Sequence, residues 1–519
     1  MSRVDMAPLY DAIIIGSGFG GAATASALVG AGEHVLMLER GDWVARGPEN
    51  WHDSSALELS PYYSMQSPYR LRNNGSDAAF GAFHCVGGQS IFSGCVSLRF
   101  RAEDFELDPE ITGDSGARWP YSYQDLEPYY ARAEALLHVA GDPGGDPTEP
   151  PRSTSYPQPA PPLAQTSRRI STAAARLGLR PFRLPLAINY SDLPNRTRCI
   201  TCLTCDAYPC AIGAKNDVAS HILPPLLSRG LELKPNVVVT RLVSSRGRVE
   251  HVECIDTRSG ERLRLHARRF VVSAGVFGSP QLILASGLDR QNPGGDTVGR
   301  FLMRHCNGMV FGFFPAPPNK EREFHKQVGI NDFYFGHPSV RNPRGKLGCI
   351  QQVMSPPLGL VRARVPRPFH PLINAAADHV TGLLVVAEDQ PRAENRLTLD
   401  PANVDRFGLP QGVVEHHYTP RDLAARTALL RKARQLLRTA GAYLMYVHRI
   451  TTFSHAVGTV RTGVDPRTSA LDEYCRFRGV DNLYVLDGSF MPTAAAVNPS
   501  LTIVANALRS ADHMIGAGS

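Results

Sequence analysis

The stretch RCITCLTCDAYPC brings Cys199, Cys202, Cys205 and Cys210 within twelve residues. Thiolates at such spacing can wrap an iron–sulfur cluster or a tetrahedral zinc ion, both of which take sulfur ligands. The first two gaps are C-x-x-C gaps, as in bacterial ferredoxins. The last gap holds four residues, and Cys210 is followed by Ala211 rather than proline. The plainer alternative is that these thiols pack a loop or pair locally, so the residues alone leave iron–sulfur, zinc and packing all open.

A second chemical signal is YDAIIIGSGFGGAATASALVGAGEHVLMLERGD. Ala12 to Ile15 has the length and branching of a buried strand, glycines and an Ala-rich helix follow, and HVLMLE reads as a second strand. Gly16, Gly18 and Gly21 stand in G-x-G-x-x-G register, which suits a tight turn, close approach of a pyrophosphate to backbone, and close helix–strand packing. Glu39 follows Gly21 by eighteen positions, near the offset of an acid that binds an adenosine ribose. Strand, helix and terminal acid together predict dinucleotide binding.

These elements sit in a chain of 519 residues with 43% hydrophobic content, enough for two domains or one large elaborated domain. The net charge of +7 is spread without basic runs or interleaved aromatics, which argues against a nucleic-acid partner. No stretch approaches the roughly 20 apolar residues of a membrane span, and MSRVDMAPLY lacks an apolar leader. The expectation is a cytoplasmic protein whose ten cysteines are not a disulfide framework.

Residues 141–165 are dense in Pro, Gly and Ser and predict an exposed connection. Residues from about 315 to 370 alternate Pro-rich loops with strand-like pieces such as CIQQVM, and TGLLVVAE follows them. That pattern predicts an antiparallel sheet with long loops. RDLAARTALLRKARQLLRTAG predicts an amphipathic helix stopping at Gly441.

Near the C-terminus, HAVGTVR, NLYVLDGSFMPT and NPSLT stand in order. VGGQSIFSGCVSLR, WPYSYQDLEPYYARAE and VVSAGVFGSPQLILASGL with VGRFLM precede them. Together with the glycine motif these closely resemble the glucose–methanol–choline (GMC) family of FAD-dependent alcohol oxidoreductases. The resemblance spans nearly the whole chain and is weakest between about 305 and 380. It implies an α/β fold in which a Rossmann-like FAD-binding domain (residues 9–108, 200–303 and 470–519) is interleaved with an α+β substrate domain on an antiparallel sheet (109–199 and 304–469).

The resemblance also implies roles residue by residue. Gly16, Gly18, Phe19, Gly21, Glu39 and Arg40 would hold the ADP half of FAD. Gly87, Gly88 and Ser90 would line the pyrophosphate and ribityl chain, with Ser93 and Gly94 close to the flavin ring. Val238 would give a backbone contact to adenine, and Ala274 and Gly278 would pack near the cofactor. Asp487 and Gly488 would approach phosphates and ribityl, and Asn498, Pro499 and Thr502 the isoalloxazine. Phe92 occupies the position at which some members tether FAD through histidine, so the cofactor would be non-covalent. Gln89 replaces a common serine or cysteine, and Arg461–Thr462 a commoner Arg-Met pair.

Alcohol oxidation removes a proton from oxygen and a hydride from carbon. His455 stands at the family's base position, and imidazole titrates near neutrality. Asn498 matches the second catalytic position, where an amide can orient the alcohol and stabilise developing charge; an Asx-turn before Pro499 is compatible with that placement. The cysteine stretch ending in GAK further resembles a bacterial branch whose members oxidise the primary alcohol of aminoglycoside intermediates such as paromamine. A cationic substrate would be met by carboxylates, for which Glu388 and Asp389 are candidates beside the plainer reading of a structural acidic turn. The expected partner is a small-molecule alcohol, the electron acceptor oxygen or another species. The alternatives are oxidation of another small alcohol or a sterol, an FAD-retaining lyase of the same fold, and a non-catalytic flavoprotein scaffold.

Overall fold

The computed structural model describes residues 10–52, 63–64, 69–73 and 76–516. The domain limits expected at residue 9 and at 517–519 therefore lie outside the described residues. No helix among the described residues is long and apolar enough to cross a membrane.

The first sheet is built on strands β1 (Tyr10–Ile15), β2 (Val35–Leu38), β3 (Glu232–Lys234), β4 (Val237–Ser245), β5 (Arg248–Asp256) and β6 (Arg262–Val272). Their order is β3-β2-β1-β6-β5-β4, and Leu483–Val485 also pairs with β6. The pairs β3–β2, β2–β1, β1–β6 and β6 with Leu483–Val485 are parallel. Ile13, Ile14, Leu36 and Met37 are fully buried, as expected of parallel strands covered on both faces. The covering helices are α1 (Phe19–Gly30), which follows β1 directly, α2 (Tyr123–Leu136) and the C-terminal helix Ser500–Gly516, which packs on both.

The second sheet, six-stranded and antiparallel, contains β7 (Gly308–Phe313), β8 (Gly348–Val353), β9 (Val380–Ala387) and β10 (Leu444–Arg449). Its order runs β10-β7-β9-β8, then Val328–Ile330 and Phe182–Arg183. All eight positions of β9 are buried, which explains why TGLLVVA reads as a continuous apolar run. Helix α3 (Gly275–Ala285) carries the VVSAGVFGSPQLILASGL stretch after β6, and helix α4 (Pro420–Thr439) lies on the second sheet. Thr419 and Asp422 form a reciprocal capping box at the start of α4, and Gly441 beyond its end adopts φ +102°. The antiparallel sheet and this helix agree with the expectation. The loops between 315 and 370 also carry one short helix, Leu358–Arg362, and a second, His370–Ala377, follows them; the alternation of prolines had hidden both.

Residues 141–165 form the expected connection, exposed at 143–145, 151 and 153–155, but it is anchored at several points. Asp146 is buried in an ion pair with Arg101, Arg152 pairs with Glu134 and Glu149, and Gln158 Nε2 donates to His138 O at 2.6 Å and Ile188 O at 2.7 Å. Charged side chains thus pin a segment whose backbone composition suggests freedom.

Candidate active site

The β1–α1 turn is shaped by its glycines. A Cβ on Gly16 (φ +103°) would stand 2.2 Å from Ser273 O, and one on Gly21 would stand 2.1 Å from Gly16 O. Around the Cβ position of Gly18, by contrast, no atom lies within 4 Å, and the nearest atom to that of Gly88 is Gly18 Cα at 3.7 Å. Two backbone segments therefore face each other across a cleft free of side chains at the N-terminus of α1, where amides and helix dipole favour phosphate.

Glu39 closes the far end of this cleft. Its Oε2 accepts from Ser17 N (3.1 Å) and Ser17 Oγ (2.6 Å), and its Oε1 accepts from Gly41 N (3.0 Å). Ser17 Oγ in turn accepts from Gly87 N at 2.9 Å, tying both glycine segments to one acid. Burial pushes the Glu39 carboxyl above its ordinary pKa. Val238 lies on β4 next to Val237, whose N–H donates to Glu39 O at 2.9 Å. Phe19 begins α1, and Arg40 is turned to Asp405 Oδ2 at 3.2 Å.

Ala274 precedes α3, a Cβ on Gly278 would meet Ala274 Cβ at 3.1 Å, and Gly275 N donates to Asp487 Oδ2 at 2.8 Å. Gly488 follows against Ala456 O. Ser90 Oγ donates to Gly87 O at 2.6 Å, and Ser93 Oγ to Ser90 O at 2.8 Å, so both shape the backbone. Thr502 Oγ1 lies 2.7 Å from Tyr130 OH on α2, one turn after Pro499. The cleft, its glycine walls and the placed acid fit an adenine dinucleotide such as FAD. The sequence reading missed Ser17 and also Gly20, where a Cβ would stand 1.7 Å from Leu486 O; both sit inside the glycine motif as residues it leaves free.

His455 lies in the loop after β10, and Asn498 stands two residues before the C-terminal helix. Asn498 Nδ2 is 3.2 Å from His455 Nε2. Gln351 on β8 donates to Asn498 Oδ1 at 2.8 Å. On its other side, His455 Nδ1 lies 3.1 Å from His305 Nδ1, and His305 Nε2 lies 3.1 Å from Ala494 O. His305 and Gln351 fall in the weakly resembling region, and nothing in their local sequence singles them out. Gln89, the departure from the common motif, donates to Ser454 O at 2.9 Å and so holds the residue before His455. Phe92 stacks on Phe83 with ring centroids 4.5 Å apart.

Desolvation, with the neighbouring His305 and Lys326, drives His455 well below its ordinary pKa, so the ring is neutral near pH 7. Lys326 pairs with Asp206 at 2.7 Å, and a Cβ on Gly94 would stand 2.1 Å from Lys326 Nζ. This ion pair lies against the backbone expected near the flavin ring. Asp389 is buried and engaged by protein groups: it accepts from Arg304 N and His305 N, both at 2.9 Å, and pairs with His416 at 3.2 Å. Glu388 is buried against Lys346 at 2.6 Å. Both carboxylates are structural, as the plainer reading had it. Arg461 lies over Phe301 at 3.5 Å and donates to Thr468 O and Ser115 O, and burial pushes its pKa down to about 10.

Cys199, Cys202, Cys205 and Cys210 line one small cavity with Lys215, Ile188 and Phe324. Among the described residues no three His, Cys, Asp or Glu side chains converge on a point that could hold a metal ion. Lys215 is buried and donates to Ile91 O (3.0 Å), Ser93 O (3.0 Å), Cys205 O (2.7 Å) and Tyr208 O (2.8 Å). It thus joins the cysteine loop to the segment beside the flavin cleft. Burial pushes the Cys199 thiol up to about 12 and Cys205 well above its usual value. All ten cysteines are free.

Family models described as GMC oxidoreductase match residues 10–307 and 391–507. The unmatched interval, 308–390, contains β7, β8 and β9, and with β8 the catalytic-side Gln351. A 6'''-hydroxyparomomycin C oxidase of Streptomyces lividus is 31% identical, over 97% of this chain and 90% of its own. A paromamine 6'-oxidase of Streptomyces fradiae is 30% identical, over 98% and 92%. Among solved structures, pyridoxine 4-oxidase from Mesorbium loti shares the fold with TM-score 0.67 at 20% identity, over 97% of this chain and 99% of that one.

Proposed function

The chain belongs to the GMC oxidoreductase family and is an FAD-dependent oxidoreductase of CH–OH groups, and from that premise we propose that its substrate is a primary alcohol of an aminosugar or aminoglycoside intermediate, converted to the aldehyde. The substrate class is supported by the two Streptomyces relatives, each named as an oxidase of a paromamine or paromomycin compound. The observation that carries the chemistry is the His455 Nε2–Asn498 Nδ2 contact of 3.2 Å.

In this reading a neutral His455 takes the hydroxyl proton at Nε2 while Asn498 donates to the same substrate oxygen. Gly16, Gly18, Gly88 and Glu39 hold the dinucleotide, Ser93 and Gly94 border the ring, and Gln89 fixes the backbone before the base. The isoalloxazine ring, when bound, supplies the hydride acceptor. Dioxygen is the proposed final acceptor, since both relatives are named oxidases.

Three narrower readings accompany this one. FAD is held without a covalent bond, because Phe92 offers no nucleophile; flavin that stays with acid-precipitated protein would overturn that. The four cysteines pack their loop around Lys215, and stoichiometric iron or zinc in the purified protein would overturn that. The interleaved domain division and a cytoplasmic location remain the proposed organisation, the latter supported by ten free thiols.

The test of the main proposal is the anaerobic visible spectrum before and after adding aminoglycosides, aminosugars and simple alcohols. Bleaching by an aminoglycoside primary alcohol is the expected result. A flavin that no alcohol bleaches would move the protein to the lyase reading.

A further inference from the structure

We propose that His305 and Gln351 are positioning residues that fix the proton arrangement of the base, so that His455 carries its proton on Nδ1 and keeps a lone pair on Nε2. The inference rests on the reading of His455 as base and adds which atom acts and what enforces it.

The argument follows a hydrogen-bond chain whose two ends can each play only one part. At one end stands Ala494 O, a backbone carbonyl that can only accept, 3.1 Å from His305 Nε2. His305 is fully buried, and burial holds it neutral, opposed by the charge of Asp389. A neutral imidazole has one N–H. His305 spends it on Ala494, which leaves its Nδ1 as an acceptor. Across 3.1 Å from that atom, His455 Nδ1 must then be the donor. With its proton on Nδ1, a neutral His455 has a bare Nε2.

The other end gives the same answer independently. Gln351 Nε2 donates to Asn498 Oδ1 at 2.8 Å, so the Asn498 amide is oriented with its NH₂ away from Gln351. That NH₂ is 3.2 Å from His455 Nε2 and needs an acceptor there. The reverse arrangement would set lone pair against lone pair at Ala494 O, beside the fully buried His305, and donor against donor at Asn498. The charged groups that act on the two rings, Lys326, Lys346 and Asp389, are each engaged elsewhere, Lys326 with Asp206, Lys346 with Asp104 and Glu388, and Asp389 with His416 and two backbone amides.

The consequence for the reaction is geometric. The only lone pair His455 can offer points to the side of Asn498, where the substrate oxygen is to be held, and the ring accepts the proton without first exchanging one.

The test uses the FAD-bound protein labelled with ¹⁵N-histidine, with the His455 signals identified by their loss in His455→Ala. The wild type is expected to show a protonated Nδ1 and an unprotonated Nε2 on His455 at neutral pH; a protonated Nε2 would overturn the proposal. His305→Asn keeps an acceptor near the Nδ1 position and should hold kcat within about tenfold. His305→Leu removes it and should lower kcat by roughly 10² or more, the scale of misdirected base catalysis, with KM within about threefold. Equal kcat in the two variants would overturn the proposal. If His305→Leu does not fold, the wild-type spectrum and His305→Asn decide alone. A wild type that no alcohol bleaches would instead remove the reading of the reaction as alcohol oxidation, to which the tautomer spectrum is indifferent.

Discussion

His455 combines two properties that a base for alcohols needs: a depressed pKa and a defined partner on each nitrogen. Because desolvation and the nearby His305 and Lys326 lower its pKa, its neutral form persists below pH 6.5. The acid limb of the kcat/KM profile should accordingly fall below pH 6.5; a limb at or above that value would show the ring to be better solvated than its surroundings indicate. Replacing His455 by Ala should slow substrate bleaching of the flavin by about 10² to 10⁴-fold, measured anaerobically by stopped flow. His455 and Asn498 were legible in the sequence because they lie in contiguous motifs. His305 and Gln351 were not, since each acquires its part only when a distant segment is laid beside it, His455 standing 150 positions from His305 and Asn498 147 positions from Gln351.

At the scale of elements, the strand–turn–helix at the N-terminus was readable in full, because buried isoleucines, glycines and a terminal acid each leave a local mark. What the motif did not reveal is that α1 is also pressed against the C-terminal segment. Gly20→Ala should force Leu486 away, lowering stability by roughly 1–3 kcal/mol and reducing FAD occupancy, as seen by the melting temperature and the flavin-to-protein absorbance ratio. The cysteine loop shows the opposite failure. Its spacing drew attention to sulfur, whereas its anchor is Lys215, a single ammonium whose three N–H groups are shared among four carbonyls. Lys215→Met would remove the buried ammonium donor, leaving Cys205 O only the Tyr208 amide (3.3 Å) and Ile91 O and Tyr208 O without their lysine, and should cost about 3 kcal/mol or more by denaturant unfolding. The anchoring of segment 141–165 was not legible for a related reason, since proline and glycine content reports backbone preference and says nothing of Arg101 reaching in to Asp146 or of Arg152 reaching out to Glu134.

For the whole molecule, buried histidines link stability to pH. His221 and His325 are pushed down to about 4 by burial, and His305, His416 and His455 are lowered as well. Below about pH 6.5 the unfolded chain gains protons that the folded chain refuses, so folding weakens by about 1.4 kcal/mol per pH unit for each such histidine until its folded pKa is reached. Buried acids work the other way, because the folded form holds their protons: Asp422 is raised to about 7 by burial, and Glu39, Glu388 and Asp487 are raised as well. The histidines, with His84 lowered to about 3 among them, outnumber these acids, and the melting temperature should fall between pH 7 and pH 5; an unchanged or rising value would contradict this balance.

The pairing of Leu483–Val485 with β6, itself beside the first strand of the chain, also bears on how the protein is made. The central sheet stays incomplete until residues near the C-terminus have been synthesised, and the amide of Asn498 comes later still. A nascent or truncated chain can form β1, α1 and β2 from local contacts, yet its base has no amide opposite and its cleft no floor. Refolding should therefore recover helical signal early and alcohol oxidation last, with loop closure over nearly the full chain setting the delay.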